Sequence, residues 1–171
     1  HIIVLDIENR IIVQDIKMPS FCSQATEMIF SSDGRRMYTL NSALVGERHV
    51  VVIDTKTQKI DHLILLPKEY EPYWANIAIS LDEQFLYVSS FSGIYRVNIE
   101  TEQVTKFSNI ERVAFLAFTS GGEYLLGANM GSNSLDIIDP GNGELIDSIP
   151  VGDSPQYILN SPDGQRVYVS N

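Results

Sequence analysis

Cysteine is almost missing from this chain: Cys22 is the only one in 171 residues. An intrachain disulfide is thereby excluded, and sulfur usage says nothing about compartment. No base lies near Cys22 in the sequence, so an inert thiol is expected rather than a nucleophile. Basic residues are scarce too, with 12 Lys and Arg against 22 Asp and Glu and a net charge of −10. An acidic surface repels phosphate, which argues against nucleic acid or anionic membrane as partner and for a plain solubility role of the charge. No apolar run approaches the 18 or so residues of a membrane span, so membrane insertion is not expected. The chain opens on His1 within an apolar run rather than on methionine, so a processed or trimmed start is expected. Haem-attachment (CxxCH), nucleophile-elbow (GxSxG), phosphate-loop and Gly-rich dinucleotide motifs are all lacking. No segment carries the three- and four-residue apolar spacing of a three-turn helix.

What is present is repetition. SSDGRRMYTLN (31–41), SLDEQFLYVSS (80–90), TSGGEYLLGAN (119–129) and SPDGQRVYVSN (161–171) share one plan. Each has a leading Ser or Thr, a polar turn, and then an apolar strand. Their starts at 31, 80, 119 and 161 give periods of 49, 39 and 42 residues, the range of stacked supersecondary units such as propeller blades. A second phrase recurs between them: IIVLDIENRII (2–12), VVVIDTKTQKI (50–60), IYRVNIETEQV (94–104) and LDIIDPGNGEL (135–145). It puts Asp6, Asp54, Asn98 and Asp139 in one column ahead of a short polar turn. An Asp or Asn side chain there accepts backbone N–H groups and closes a hairpin, which explains each residue separately without a ligand ring.

A third segment precedes each Ser-led turn: ATEMIF (25–30), WANIAI (74–79), VAFLAF (113–118) and PQYILN (155–160). These short apolar runs read as strands buried on both faces. The whole is therefore an all-β chain, a β-propeller of four-stranded antiparallel blades. About four repeats form one domain over 1–171: 1–24 plus 155–171, 25–73, 74–112 and 113–154. Strands near 25–30, 36–41, 50–54 and 60–65 set the pattern. The first segment supplies a third strand and the last a second strand, so the two ends complete one blade, with Val167-Tyr168-Val169 expected beside Ile2-Ile3-Val4. That closure leaves three arrangements open: a four-bladed ring within the chain, a homodimer closing an eight-bladed propeller, or part of a larger propeller.

In such a blade the loop before the innermost strand and the loop between second and third strands share one end, where binding commonly sits because loops on a rigid scaffold vary freely. The loop candidates are SALVGERH (42–49), KEYEPYW (68–74) and NMGSNS (129–134). Tyr70, Tyr73 and Trp74 could form a stacking platform for a sugar, an aromatic ligand or a protein loop. The alternative is that Trp74 packs between blades with the tyrosines covering its rim. Glu47 and Arg48 join the loop candidates. Aligning the innermost strands puts Glu27, Asn76, Phe115 and Tyr157 at the channel mouth. This mixed column does not look like a metal site, and His1, His49 and His62 share no ligand spacing. No metal, cofactor or catalytic residue is therefore assigned.

SPDGQRVYVSN, VVVIDTKTQKI and IPVGDSPQYILNSPDG together resemble the YVTN-type β-propeller repeats, the WD40-like units of surface-layer proteins and of the quinohemoprotein amine dehydrogenase β-subunit, and more loosely the lactonase propellers. The resemblance spans essentially the whole chain. The third repeat departs from it, since SLDEQ lacks the glycine. Shared positions are turn and core residues, so no catalytic residue follows. The repeat scaffold, the loop aromatics and the lack of a catalytic set point to a non-catalytic scaffold holding a protein or glycan partner on its loop face. Two alternatives are a propeller that packs on a cofactor-bearing enzyme partner and a lactonase-like hydrolase using Glu47, Arg48 and His49. The family resemblance also implies a periplasmic or extracellular location.

Overall fold

The computed structural model describes residues 1–19, 25–41, 47–71 and 75–171. They form sixteen strands and, among the described residues, no helix. The chain divides into two compact units, 1–66 and 67–171.

The first unit holds a two-stranded sheet, β1 (Ile2–Asp6) with β2 (Ile11–Ile16). It also holds a four-stranded antiparallel sheet of β3 (Ala25–Phe30), β4 (Arg36–Asn41), β5 (His49–Asp54) and β6 (Lys59–Leu65) in sequence order. These bounds match the four strands read from the sequence to within one residue. Val50 to Ile53 of β5 are all buried, as a strand covered on both faces requires. Ile2, Ile16, Met37, Val51 and Ile53 form the core of this unit.

The second unit repeats the plan. Strands β7 (Ile77–Ile79), β8 (Phe85–Ser90), β9 (Gly93–Asn98) and β10 (Val104–Ser108) make one blade. Strands β11 (Val113–Phe118), β12 (Leu125–Asn129), β13 (Ser134–Ile138) and β14 (Leu145–Pro150) make the next. A hairpin of β15 (Tyr157–Asn160) and β16 (Val167–Ser170) follows. Ala78, Tyr87 and Ile94 of the first blade pack on Val113, Leu116, Leu125 and Ile138 of the second. Leu126, Ala128 and Leu135 pack in turn on Ile158 of β15. Each fully buried aliphatic of this kind stabilises the fold by about 1.5–3 kcal/mol. In their own units β1 pairs along one edge with β2 and β16 along one edge with β15. Within them Ile2 pairs with Ile16 and Val167 with Asn160.

Side-chain hydrogen bonds set the turns. In the Ser-led turn the hydroxyl accepts the N–H five residues on: Arg36 to Ser31 at 3.0 Å, Phe85 to Ser80 at 3.0 Å, Tyr124 to Thr119 at 3.2 Å and Arg166 to Ser161 at 2.9 Å. The same hydroxyl donates to Asp33, Asp82 or Asp163, or to Glu123 where Gly121 replaces the aspartate. The carboxylates of Asp33, Asp82 and Asp163 are held below the usual range by these bonds, the backbone N–H of Arg35 leading at Asp33 and the serine hydroxyl at the other two. The fourth residue of each turn is left-handed: Gly34 (φ 66°), Glu83 (55°), Gly122 (75°) and Gly164 (69°). The third repeat, which lacks the glycine, thus keeps the turn by holding Glu83 in a conformation that costs an L-residue energy.

The Asp-led hairpins behave alike. Asp6, Asp54 and Asn98 accept the N–H three residues on, from Asn9, Thr57 and Thr101, and Asp139 accepts that of Gly141, two on. Each hairpin then turns through a left-handed residue: Arg10, Gln58, Glu102 and Gly143. Gly143 is required twice over, because a Cβ there would also lie 2.3 Å from the Phe107 carbonyl oxygen. The column of acidic and amide residues is therefore a set of turn locks.

Candidate functional site

Strand polarity puts the loops ahead of β7 and β11 and the β8–β9 and β12–β13 loops at one end of the second unit. A chain of main-chain hydrogen bonds ties them together. The Phe91 N–H donates to the Glu71 carbonyl (3.0 Å), Arg112 N–H to Phe91 (3.1 Å) and Met130 N–H to Arg112 (3.0 Å). The Ser92 hydroxyl adds a bond to the Glu69 carbonyl at 2.8 Å. The Arg112 guanidinium lies 5.0 Å from the centre of the Phe91 ring, a cation–π contact. Glu69, Glu71, Glu111 and Arg112 are exposed along this band. The backbone beneath is held, while the charged tips face water.

Tyr70 is not on that surface. Its ring is 0% exposed and stands edge-on to Tyr95, with centroids 5.6 Å apart. The platform reading is corrected for Tyr70, because a ring with no exposed face cannot stack on a ligand; it is a core residue under the loop. Tyr73 and Trp74 lie outside the described residues.

The channel-mouth residues have separate fates. Asn76 is buried and acts as a clamp. Its N–H donates to the Ser89 hydroxyl, and its side-chain oxygen accepts the Leu116 N–H from the next blade, both at 2.9 Å. A residue so engaged has little to offer a ligand. Phe115 meets Tyr157 of the following hairpin at 5.4 Å between centroids, so this pair links successive innermost strands. Glu27, in the first unit, is exposed.

In the first unit Glu47 is exposed and Arg48 half-buried, and the Glu47 carboxylate lies 3.8 Å from Nε2 of buried His49. Asn41 accepts the His49 N–H and donates to the Glu47 carbonyl, bridging the ends of the β4–β5 loop. Residues 42–46 of that loop candidate lie outside the described residues.

Sequence reasoning missed the loop locks themselves. Asn41, Ser90 and Asn129 close their second strands and share one column of the repeat, and each binds the backbone of the loop that follows. Asn129 also donates to Asp136, whose buried carboxylate takes further hydrogen bonds from Ser134 and Ser148, all three at 2.7 Å. The recurring final Asn was visible in the repeats, but its partners lie across the strands and were not.

The repeated four-stranded antiparallel sheets define a β-propeller-class protein, and the similarity to solved structures agrees. The chain is 25% identical to a hydrazine synthase chain of Kuenenia stuttgartiensis, with a TM-score of 0.70, covering 82% of this chain and 40% of that one. It is 21% identical to a functionally unknown protein of Desulfotomaculum acetoxidans, with a TM-score of 0.76, covering 98% and 54%. To the periplasmic gluconolactonase PpgL of Pseudomonas aeruginosa it is 14% identical, with a TM-score of 0.72, covering 98% and 55%. This chain therefore spans roughly half the length of those proteins. No family model and no curated sequence matches it.

Proposed function

We propose that this chain belongs to a non-catalytic propeller scaffold of the YVTN-repeat type that holds a protein or glycan partner on the loop end of its blades. One observation carries the reading: the hydrogen-bonded band from Glu71 through Phe91 and Arg112 to Met130, which fixes successive loops into a single surface. A surface whose backbone is already ordered loses little entropy on binding, which favours recognition. Its charged and aromatic tips, with Arg112 over Phe91, suit a polar partner. An exported location, periplasmic or extracellular, goes with this reading.

The test is a glycan array and a library of displayed peptides, probed with the full chain and with Arg112→Glu. Binding that the substitution abolishes supports the scaffold. Binding indifferent to it, or no binding in either format, removes the reading. The likeness to hydrazine synthase and to a gluconolactonase favours an enzyme-associated role as the second reading. Co-purification of the full chain with a cofactor-bearing enzyme subunit would choose that one, whereas hydrolysis of δ-gluconolactone would choose a lactonase-like hydrolase.

A further inference from the structure

The opposite end of the same two blades, where the Ser-led and Asp-led turns lie, holds a cleft of about 470 Å³ between β7–β10 and β11–β14. That volume suits a small organic molecule. Arg96 projects into it from β9, with Phe85, Tyr87 and Phe118 as aromatic wall and Leu81 and Asp82 at the rim.

Arg96 is out of place in the repeat. Counting back from the Asp-led column, its counterparts are Val4, Val52 and Ile137, so an aliphatic position carries a cation in this blade alone. It stands opposite Tyr87 in the β8–β9 ladder, as Val52 stands opposite Tyr38 and Ile137 opposite Leu126. The guanidinium is sandwiched between rings, 4.7 Å from the centre of Phe85 and 4.9 Å from that of Phe107. Stacking of this kind holds the planar group and leaves available those N–H donors that are not turned to the Tyr87 hydroxyl. No carboxylate of the described residues lies within ion-pair distance of it.

The neighbouring polar groups are already committed. The Asp82 carboxylate takes the Ser80 hydroxyl and the Gln84 N–H, and Asp139 takes the Gly141 N–H. The Tyr87 hydroxyl donates to the Pro140 carbonyl at 2.9 Å. Burial pushes its phenol up, while the hydrogen bonding and charge of the Arg96 guanidinium pull the other way, so it stays protonated and offers no counter-charge. A half-buried arginine with a fixed plane and open donors recognises a carboxylate through two parallel hydrogen bonds. The aromatic wall suits an apolar ring, and the nearby aspartates and the −10 net charge disfavour a polyanion.

We infer that this interblade cleft binds a small monoanionic aryl carboxylate, with Arg96 gripping the carboxylate and Phe85 and Phe118 covering the ring. It is a second site, remote from the loop band and independent of it.

The experiment titrates the full chain with benzoate, followed by calorimetry and by backbone amide resonances. Benzyl alcohol (ring without charge) and inorganic phosphate (charge without ring) serve as controls. The inference expects saturable benzoate binding with a dissociation constant of about 1 mM or tighter, as suits so small a ligand. Shifts should centre on residues 81–87, 94–97 and 118–122, with neither control matching them. Arg96→Val should weaken binding at least tenfold. Arg96→Lys, which keeps the charge and loses the fork, should weaken it less, and guards against an unfolded valine variant. No binding of benzoate by the parent chain overturns the inference. So does binding that benzyl alcohol or phosphate reproduces, or that Arg96→Val and Arg96→Lys leave unchanged.

Discussion

The blades β7–β10 and β11–β14 come from one repeat and pack on each other, yet each admits one charged residue into a column that its sister blade fills with an uncharged one. In β11–β14 the intruder is Asp136, where the other repeats carry Ile3, Val51 and Tyr95. In β7–β10 it is Arg96, against Val4, Val52 and Ile137. Asp136 is 2% exposed and receives three hydrogen bonds from Asn129, Ser134 and Ser148, so its charge is answered within its own blade. Arg96 is half-buried, stacked on two rings, and faces a cleft. A satisfied intruder builds the fold, and one left with open donors points outward to something else. A half-buried cation gives up part of its hydration even when stacked on two rings, so its presence in an otherwise aliphatic column calls for a role.

The largest expected effect comes from breaking the satisfied side. Asp136→Ala should destabilise the protein by about 3 kcal/mol, because Asn129, Ser134 and Ser148 lose a shared acceptor inside the blade. Urea denaturation measures it, and an unchanged midpoint would mean that the network is ornamental. Next comes the seam between the blades. Gly143→Val forces a left-handed β-branched residue and drives its Cβ into the Phe107 carbonyl, for a loss of about 2 kcal/mol by the same measurement.

Arg96→Val sharpens the contrast from the other side. Restoring the column residue should change stability by no more than about 1 kcal/mol in either direction, since the cation has no ion pair to lose. A loss as large as that of Asp136→Ala would make Arg96 a structural residue.

The smallest effect separates the two Ser-led turns by pH. Asp82 locks the β7–β8 turn, while Gly121 occupies that position after β11. The folded Asp82 carboxyl is depressed, so its stabilisation is complete above the unfolded value of about 3.9 and fades as pH falls through the folded one. Asp82→Asn should therefore melt below the parent at pH 7, with the gap closing as the pH drops under that value. A gap that persists in acid would assign the effect to shape rather than charge.

Periodicity alone made the strands legible. The Ser-led and Asp-led phrases each force a turn by local hydrogen bonds, and bonds within three to five residues can be read from spacing. Glu83 shows where that reading stops: nothing in SLDEQ announces a left-handed glutamate, which the flanking β7–β8 ladder imposes. Tyr70 shows the same limit for the site. In sequence it belongs to an aromatic loop, yet Tyr95 and the strapped backbone of residues 69–71 and 91–92 bury it.

Burial in the two-stranded sheets makes the point again. Leu159 of β15 is 70% exposed and Leu5 of β1 62%, while Leu40 and Leu86, from equally apolar strands, are fully buried. A strand's pattern says which residues can be buried, and only the sheet packed against it says which are. By itself the sequence determined the all-β class, the strand bounds and the turn locks, since these depend on neighbours a few residues away. The tertiary structure decided that Asn76 clamps one blade to the next, that Asp136 is fully answered, and that Arg96 looks into a cleft. Those outcomes depend on residues far apart in the chain, 40 positions for Asn76 and Leu116, meeting across strands and sheets, and no local periodicity encodes such meetings.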